Sequence, residues 1–128
     1  MAIDKSMKVL IVDDYKTMLR IIRNLLKQIE FNNVDEASDG AEALGKLRGG
    51  NFGLVISDWN MQPMTGLQLL QEVRADPALA KTPFIMVTGE GSKDRVVAAL
   101  GAGVTGFIVK PVSLDTLKKN LAKLLGPL

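Results

Sequence analysis

Apolar runs and amphipathic stretches alternate five times along the chain. Lys8 to Val12 reads as a buried strand that stops at Asp13-Asp14. Met18, Ile21, Ile22, Leu25, Leu26 and Ile29 then recur at helical spacing, with Arg20, Arg23, Asn24 and Lys27 on the opposite side. Phe31-Asn32-Asn33 is a turn, and Val34 to Ala37 a short second strand. Asp39-Gly40-Ala41-Glu42 has the spacing of a capping box opening a second helix, which Gly49-Gly50 closes. Leu54-Val55-Ile56-Ser57-Asp58 is apolar on consecutive positions, the mark of a central strand covered on both faces. A third helix runs from about Gly66 to Arg74 on Leu67, Leu69, Leu70 and Val73. Asp76-Pro77 and Thr82-Pro83 bracket a loop before a fourth strand, Phe84 to Val87, ending at Thr88. Ser92 can cap a fourth helix carrying Val96, Ala99 and Leu100. Gly106 to Val109 is a fifth strand ending at Lys110-Pro111, and Ser113 can cap a last helix striped by Leu114, Leu117, Leu121 and Leu124.

Strands alternating with helices of this length predict a parallel sheet covered on both faces. The 128 residues suit one domain without linker, repeat or output domain. Sixteen basic against fourteen acidic residues give +2, a balance that argues neither for nor against nucleic acid, and no nucleic-acid partner is expected. The absence of cysteine excludes disulfides and thiolate chemistry. The absence of histidine removes the commonest general base and the usual zinc ligand. The apolar run Val9 to Val12 ends at two acids and reads as neither signal peptide nor membrane span, so a cytoplasmic protein is expected.

In a parallel sheet the carboxyl ends of all strands share one edge, where open α/β folds keep their sites. Here those ends offer Asp13, Asp14, Asp58, Thr88 and Lys110. Each has an ordinary reading alone: Asp14 as a helix N-cap, Asp58 as a turn residue, Thr88 bonded to its own backbone, Lys110 as a surface charge. Together they make three carboxylates facing one ammonium, a cluster that wants another cation. Oxygen ligands without histidine or cysteine favour Mg²⁺, which prefers one or two carboxylates plus water and a phosphoryl oxygen. A carboxylate can itself take up the phosphoryl group. Gly101-Ala102-Gly103-Val104-Thr105-Gly106 matches a dinucleotide-loop pattern but follows a helix and precedes a strand, so it reads as a helix stop. Lys118, Lys119 and Lys123 read as a solvated helix face.

The series strand-Asp13-Asp14, strand-Asp58, strand-Thr88, strand-Lys110-Pro111 resembles the receiver domains of two-component response regulators. Arg23-Asn24-Leu25-Leu26-Lys27, Phe31-Asn32-Asn33-Val34, Val55 to Met61 and Met86-Val87-Thr88 resemble its single-domain chemotaxis members. The resemblance, which spans nearly the whole chain, implies a flavodoxin-like (βα)5 domain of strand order 2-1-3-4-5. It implies that Asp58 accepts a phosphoryl group from a partner histidine kinase. It further implies that Asp13, Asp58 and the Asn60 carbonyl hold Mg²⁺, with Asp14 acting through a metal-bound water. Thr88 and Lys110 would contact the phosphoryl oxygens, the Lys110-Pro111 bond would be cis, and Thr88 and Phe107 would form the switch. The chain departs from those members at Phe107, where they carry tyrosine, at the shifted loop proline Pro63, and at Thr65, where they carry an acid.

The expected function is a monomeric signalling switch, not an enzyme beyond its own phosphorylation and dephosphorylation. It would bind a flagellar motor switch protein or another effector through the face around Lys93, Val96, Phe107 and Lys119. A stand-alone phosphate sink or regulator of another kinase is the alternative, separable by pull-down with a phosphoryl mimic. A phosphohydrolase with an aspartyl nucleophile is the remote one. Such enzymes commonly carry an acid two residues after the nucleophile, and Asn60 stands there.

Overall fold

The structure is a computed structural model and describes residues 5–126. Its elements run β1 (Lys8–Val12), α1 (Lys16–Gln28), β2 (Val34–Ala37), α2 (Gly40–Gly49), β3 (Phe52–Asp58), α3 (Gly66–Ala75), β4 (Phe84–Thr88), α4 (Lys93–Gly101), β5 (Gly106–Val109) and α5 (Leu114–Leu125). The strands are all parallel, in the order β2-β1-β3-β4-β5. Every predicted element is present, and β3 begins two residues earlier than its apolar run suggests.

Period-two alternation divides the core between the two faces of the sheet. Leu10, Val12, Val55, Phe84 and Met86 pack with Leu44, Leu47, Leu69, Leu70, Val73 and Ala99 of α2, α3 and α4. Val9, Ile11, Leu54, Ile56, Ile85, Val87 and Ile108 pack with α1 and α5 through Leu19, Ile22, Leu26, Leu117 and Leu121. Both faces of β1, β3 and β4 are therefore dry, which is why these strands read as unbroken apolar runs. Among the described residues no helix is long and apolar enough to cross a membrane.

The helix ends are defined by side chains. Thr65 with Gln68, and Ser113 with Thr116, form reciprocal capping boxes on α3 and α5. Ser92 caps α4 through the Arg95 amide. Asp39 caps α2 by accepting from the Glu42 amide. The predicted box there is not closed, because Glu42 Oε1 accepts from the amide and hydroxyl of Ser38 instead. Asp14 is exposed and caps nothing; Tyr15 occupies the N-cap position of α1 without a side-chain bond. Gly103 takes φ +93 just after α4, so the glycine-rich stretch is the helix stop it reads as. Leu100 departs from its pattern: it is 63 % exposed, and Ala99 is the residue that α4 buries. Phe31, within the turn after α1, is fully buried.

Arg74 was not singled out by the sequence. It donates to the carbonyls of Gly103, Ala80 and Thr82 at 3.0, 3.1 and 2.6 Å, and so fastens the α4–β5 connection to the α3–β4 connection. Gly66 fixes the other approach to the site. A Cβ there would collide with the Asp58 carbonyl oxygen and lie 2.9 Å from the Trp59 Cα, so α3 can start this close to the end of β3 only with glycine.

These packing differences predict opposite outcomes for two glycines. Gly66→Ala should lower stability by roughly 1–3 kcal/mol through the clash at the end of β3. Gly45→Ala, exposed within α2 with nothing within 4 Å of its new methyl, should raise stability by roughly 0.5–1 kcal/mol. Urea midpoints of the two variants and the wild type check both signs.

Candidate functional site

The five residues expected at the sheet edge do gather there, because β1, β3, β4 and β5 end side by side. Backbone bonds extend the pairing past the strand ends: Asp13 donates to Ala37, Trp59 to Val87 and Lys110 to Thr88, at 3.1, 2.9 and 2.7 Å. The carboxylates of Asp13, Asp14 and Asp58 offer oxygens that all lie within 4.8 Å of one another. Asp13 and Asp58 are buried and Asp14 is exposed at the rim. Thr88 is fully buried, and Asn60 is exposed beside the cleft that Asp14 also lines.

The charges are unevenly compensated. Lys110 Nζ lies 2.8 Å from Asp58 Oδ1, a charge contact whose angles fall outside hydrogen-bond geometry. Asp13 Oδ1 accepts the Tyr15 amide at 2.9 Å, whereas its Oδ2 is buried without a partner. Burial pushes the Asp13 carboxyl from 3.8 up to about 6, helped by the charges of Asp58 and Asp14; the Tyr15 amide and Lys110 pull the other way. An orphaned carboxylate oxygen costs free energy wherever water is excluded. A divalent cation bound by Asp13 and Asp58 would remove that cost. The donor set, oxygen throughout with no histidine or cysteine, fits Mg²⁺.

Thr88 Oγ1 accepts the Glu90 amide at 3.2 Å and the guanidinium of Arg95 at 2.8 Å. The sequence did not single out Arg95. Its position in the first turn of α4 carries no spacing signal, and only the path of the chain brings it over the edge. Phe107 is half-buried and packs with the core on the same face of the sheet as Met86, its neighbour in register. The Lys110-Pro111 bond is cis as expected, and Gln62-Pro63, in the shifted-proline loop, is cis as well.

The model of the response regulator receiver domain matches residues 9–122. The chain belongs to the response regulator receiver family. It is 48 % identical over 122 residues to the chemotaxis protein CheY-3 of Vibrio cholerae, covering 95 % of this chain and 94 % of that protein. The solved structure of chemotaxis response regulator CheY4 of Vibrio cholerae superposes with a TM-score of 0.86 at 36 % identity, over 94 % of this chain and 99 % of that one. Response regulator TrrA of Thermotoga maritima, solved in complex with Mg(2+)-BeF, superposes with a TM-score of 0.82 at 28 % identity, over 93 % and 99 % of the two chains. This receiver is therefore CheY-like in sequence and in fold.

The raised Asp13 value gives a signed pH dependence. An acid whose folded value is raised contributes most below its unfolded value of 3.8, and that contribution is lost as pH rises through about 6. At pH 7.5 without divalent cations, Asp13→Asn should therefore be more stable than wild type by roughly 1–3 kcal/mol. The difference should shrink at pH 5, where the wild-type carboxyl is largely protonated. Urea unfolding at both pH values in a chelator measures it; a variant less stable than wild type at pH 7.5 contradicts the assignment.

Proposed function

We propose that this receiver is a phosphorylation-driven switch of chemotaxis signalling, with Asp58 as the phosphoryl acceptor. The observation that carries the reading is the buried Asp58 carboxylate, 2.8 Å from the Lys110 ammonium and beside the unpartnered Asp13 oxygen. Lys110 engages Oδ1 and leaves Oδ2 as the oxygen available to phosphorus. In the transfer, that oxygen forms a bond to phosphorus as the bond from phosphorus to a histidine nitrogen of the donor breaks. The electron pair stays on the imidazole, which takes a proton from solvent, and Asp58 becomes an acyl phosphate.

Asp13, Asp58 and the Asn60 carbonyl would hold Mg²⁺, with Asp14 acting through water. The ion supplies charge neutralisation for the incoming phosphoryl oxygens. Lys110 neutralises the same charge from the β5 side, and Thr88 can donate its hydroxyl proton to a phosphoryl oxygen. The donor would be a histidine kinase of the CheA type. Apart from its own phosphorylation and dephosphorylation the protein would not be an enzyme. Asn60 cannot protonate a leaving group, which argues against a phosphatase acting on other substrates.

The output would be protein binding in the cytoplasm, with the flagellar motor switch as the leading partner. α4 presents Val97 and Leu100 at 58 % and 63 % exposure, and β5 ends in Val109 at 45 %. Large apolar side chains this exposed suit a surface that a partner covers. Phe107 lies under the same region and, without a hydroxyl, is biased only by packing, so coupling would rest mainly on Thr88.

Two outcomes test the proposal. A small acyl phosphate with Mg²⁺ should label wild type and not Asp58→Asn, which should stay folded because it removes one charge from a crowded cluster. Intact-mass measurement decides this, and continued labelling of the variant would exclude Asp58. Thr88→Ala should still be labelled but lose most of the phosphorylation-dependent gain in effector affinity, a coupling of about 1–3 kcal/mol in such switches. Affinity with and without a phosphoryl mimic measures it; an unchanged ratio would place the signal on another route.

A further inference from the structure

Arg95 sits in the first turn of α4, where a positive charge opposes the helix dipole, so helix stability does not explain it. Its guanidinium turns back over the sheet edge and is held by four contacts. Nη1 donates to Thr88 Oγ1 at 2.8 Å and Nη2 to Asn60 Oδ1 at 3.1 Å. Nε lies 3.5 Å from Glu90 Oε2, and the guanidinium carbon stands 4.8 Å from the centre of the Trp59 ring. The Trp59 and Glu90 contacts would suffice for an arginine that merely braces the loop. The bonds to Thr88 and Asn60, two polar side chains flanking Asp58, go beyond that role.

The consequence lies at the hydroxyl. Thr88 Oγ1 has two lone pairs and one proton. The Glu90 amide fills one lone pair and Arg95 fills the other. The hydroxyl is fully buried, and what remains to it is to donate. A charged donor on its oxygen also strengthens that donation through cooperative polarisation.

We propose that Arg95 is a positioning residue for the phosphoryl group at Asp58, occupying the Thr88 hydroxyl as an acceptor so that the hydroxyl meets a phosphoryl oxygen only as a donor. The inference rests on the reading of Asp58 as phosphoryl acceptor. Because the Arg95 guanidinium is part of α4, a change in the Thr88 hydroxyl bond reaches that helix directly. Lysine should not replace it: a single ammonium cannot bond Thr88 and Asn60 while stacking on Trp59.

The test uses beryllofluoride with saturating Mg²⁺ as an unreactive phosphoryl mimic, on the full chain. Affinity is read by calorimetry, since Trp59 emission would itself respond to the loss of Arg95. Wild type, Arg95→Gln, Arg95→Lys, Thr88→Ala and the Arg95→Gln/Thr88→Ala double variant are compared, and each is titrated with Mg²⁺ alone. Arg95→Gln should weaken mimic binding about tenfold, and Arg95→Lys should recover little of it. In the Thr88→Ala background, Arg95→Gln should change the affinity less than about twofold, because its effect passes through the hydroxyl. Mg²⁺ affinity without the mimic should hold or rise slightly, since a nearby positive charge has gone.

Wild-type affinity in Arg95→Gln would overturn the proposal. So would a tenfold loss that persists without the Thr88 hydroxyl, which would mean direct contact with the mimic, or a fall in Mg²⁺ affinity, which would mean a damaged site. Failure of wild type itself to bind the mimic would instead overturn the Asp58 reading, and this inference with it.

Discussion

Asp13 and Asp58 stand nearly out of water at the ends of adjacent strands, with Lys110 opposite. Two buried carboxylates and one ammonium leave the pair short of positive charge, and the shortfall shows at Asp13. One of its oxygens has no partner, and its proton affinity is raised to about 6. A fold selected for stability alone would replace such a group with an amide or an apolar side chain. Here the strain sits at the strand ends, where the parallel sheet and its short connections hold it rigidly. A divalent cation would relieve it, and a phosphoryl group, which brings negative charge of its own, would deepen the demand for that cation and for Lys110.

The rest of the edge is arranged around that shortfall. Gly66 lets α3 begin against the Asp58 carbonyl, which confines the β3–α3 loop carrying Trp59 and Asn60. Thr88 ends β4 on the face of the sheet that Phe107 covers from β5. Arg95 reaches from α4 to the end of β4 and to the β3–α3 loop at once. On the reading of Asp58 as phosphoryl acceptor, a bond from the Thr88 hydroxyl to a phosphoryl oxygen would continue through the Thr88–Arg95 bond to the helix that exposes Val97 and Leu100. Each bond on that route would have a defined donor, so single substitutions would interrupt it.

Much of this was legible in the sequence because it depends on local pattern and topology. Unbroken apolar runs marked β1, β3 and β4, and the polar residue ending each run marked the site. Asp13, Asp58, Thr88 and Lys110 needed nothing more than a parallel sheet to bring them together, while the strand order came from the family resemblance. What escaped depends on contacts distant in sequence or on competition between partners. Leu100 fits a helical stripe, yet α4 buries Ala99, and periodicity alone does not say how far a helix is rolled against its sheet. Glu42 has capping-box spacing, but Ser38 offers it two donors and wins. Arg95 looks like any charged residue in a first turn until the fold sets it over Trp59.

The central claim is that the acidic cluster awaits a divalent cation, and that Asp13 must give up a proton to accept it. Proton release on Mg²⁺ binding tests this most directly, by titration calorimetry in buffers of different ionisation enthalpy. With the Asp13 carboxyl titrating near pH 6, about half a proton should leave per ion bound at pH 6 and close to none at pH 8. Asp13→Asn should abolish the release at pH 6. Tight Mg²⁺ binding at pH 6 without proton release, or no detectable Mg²⁺ binding at either pH, would contradict the account.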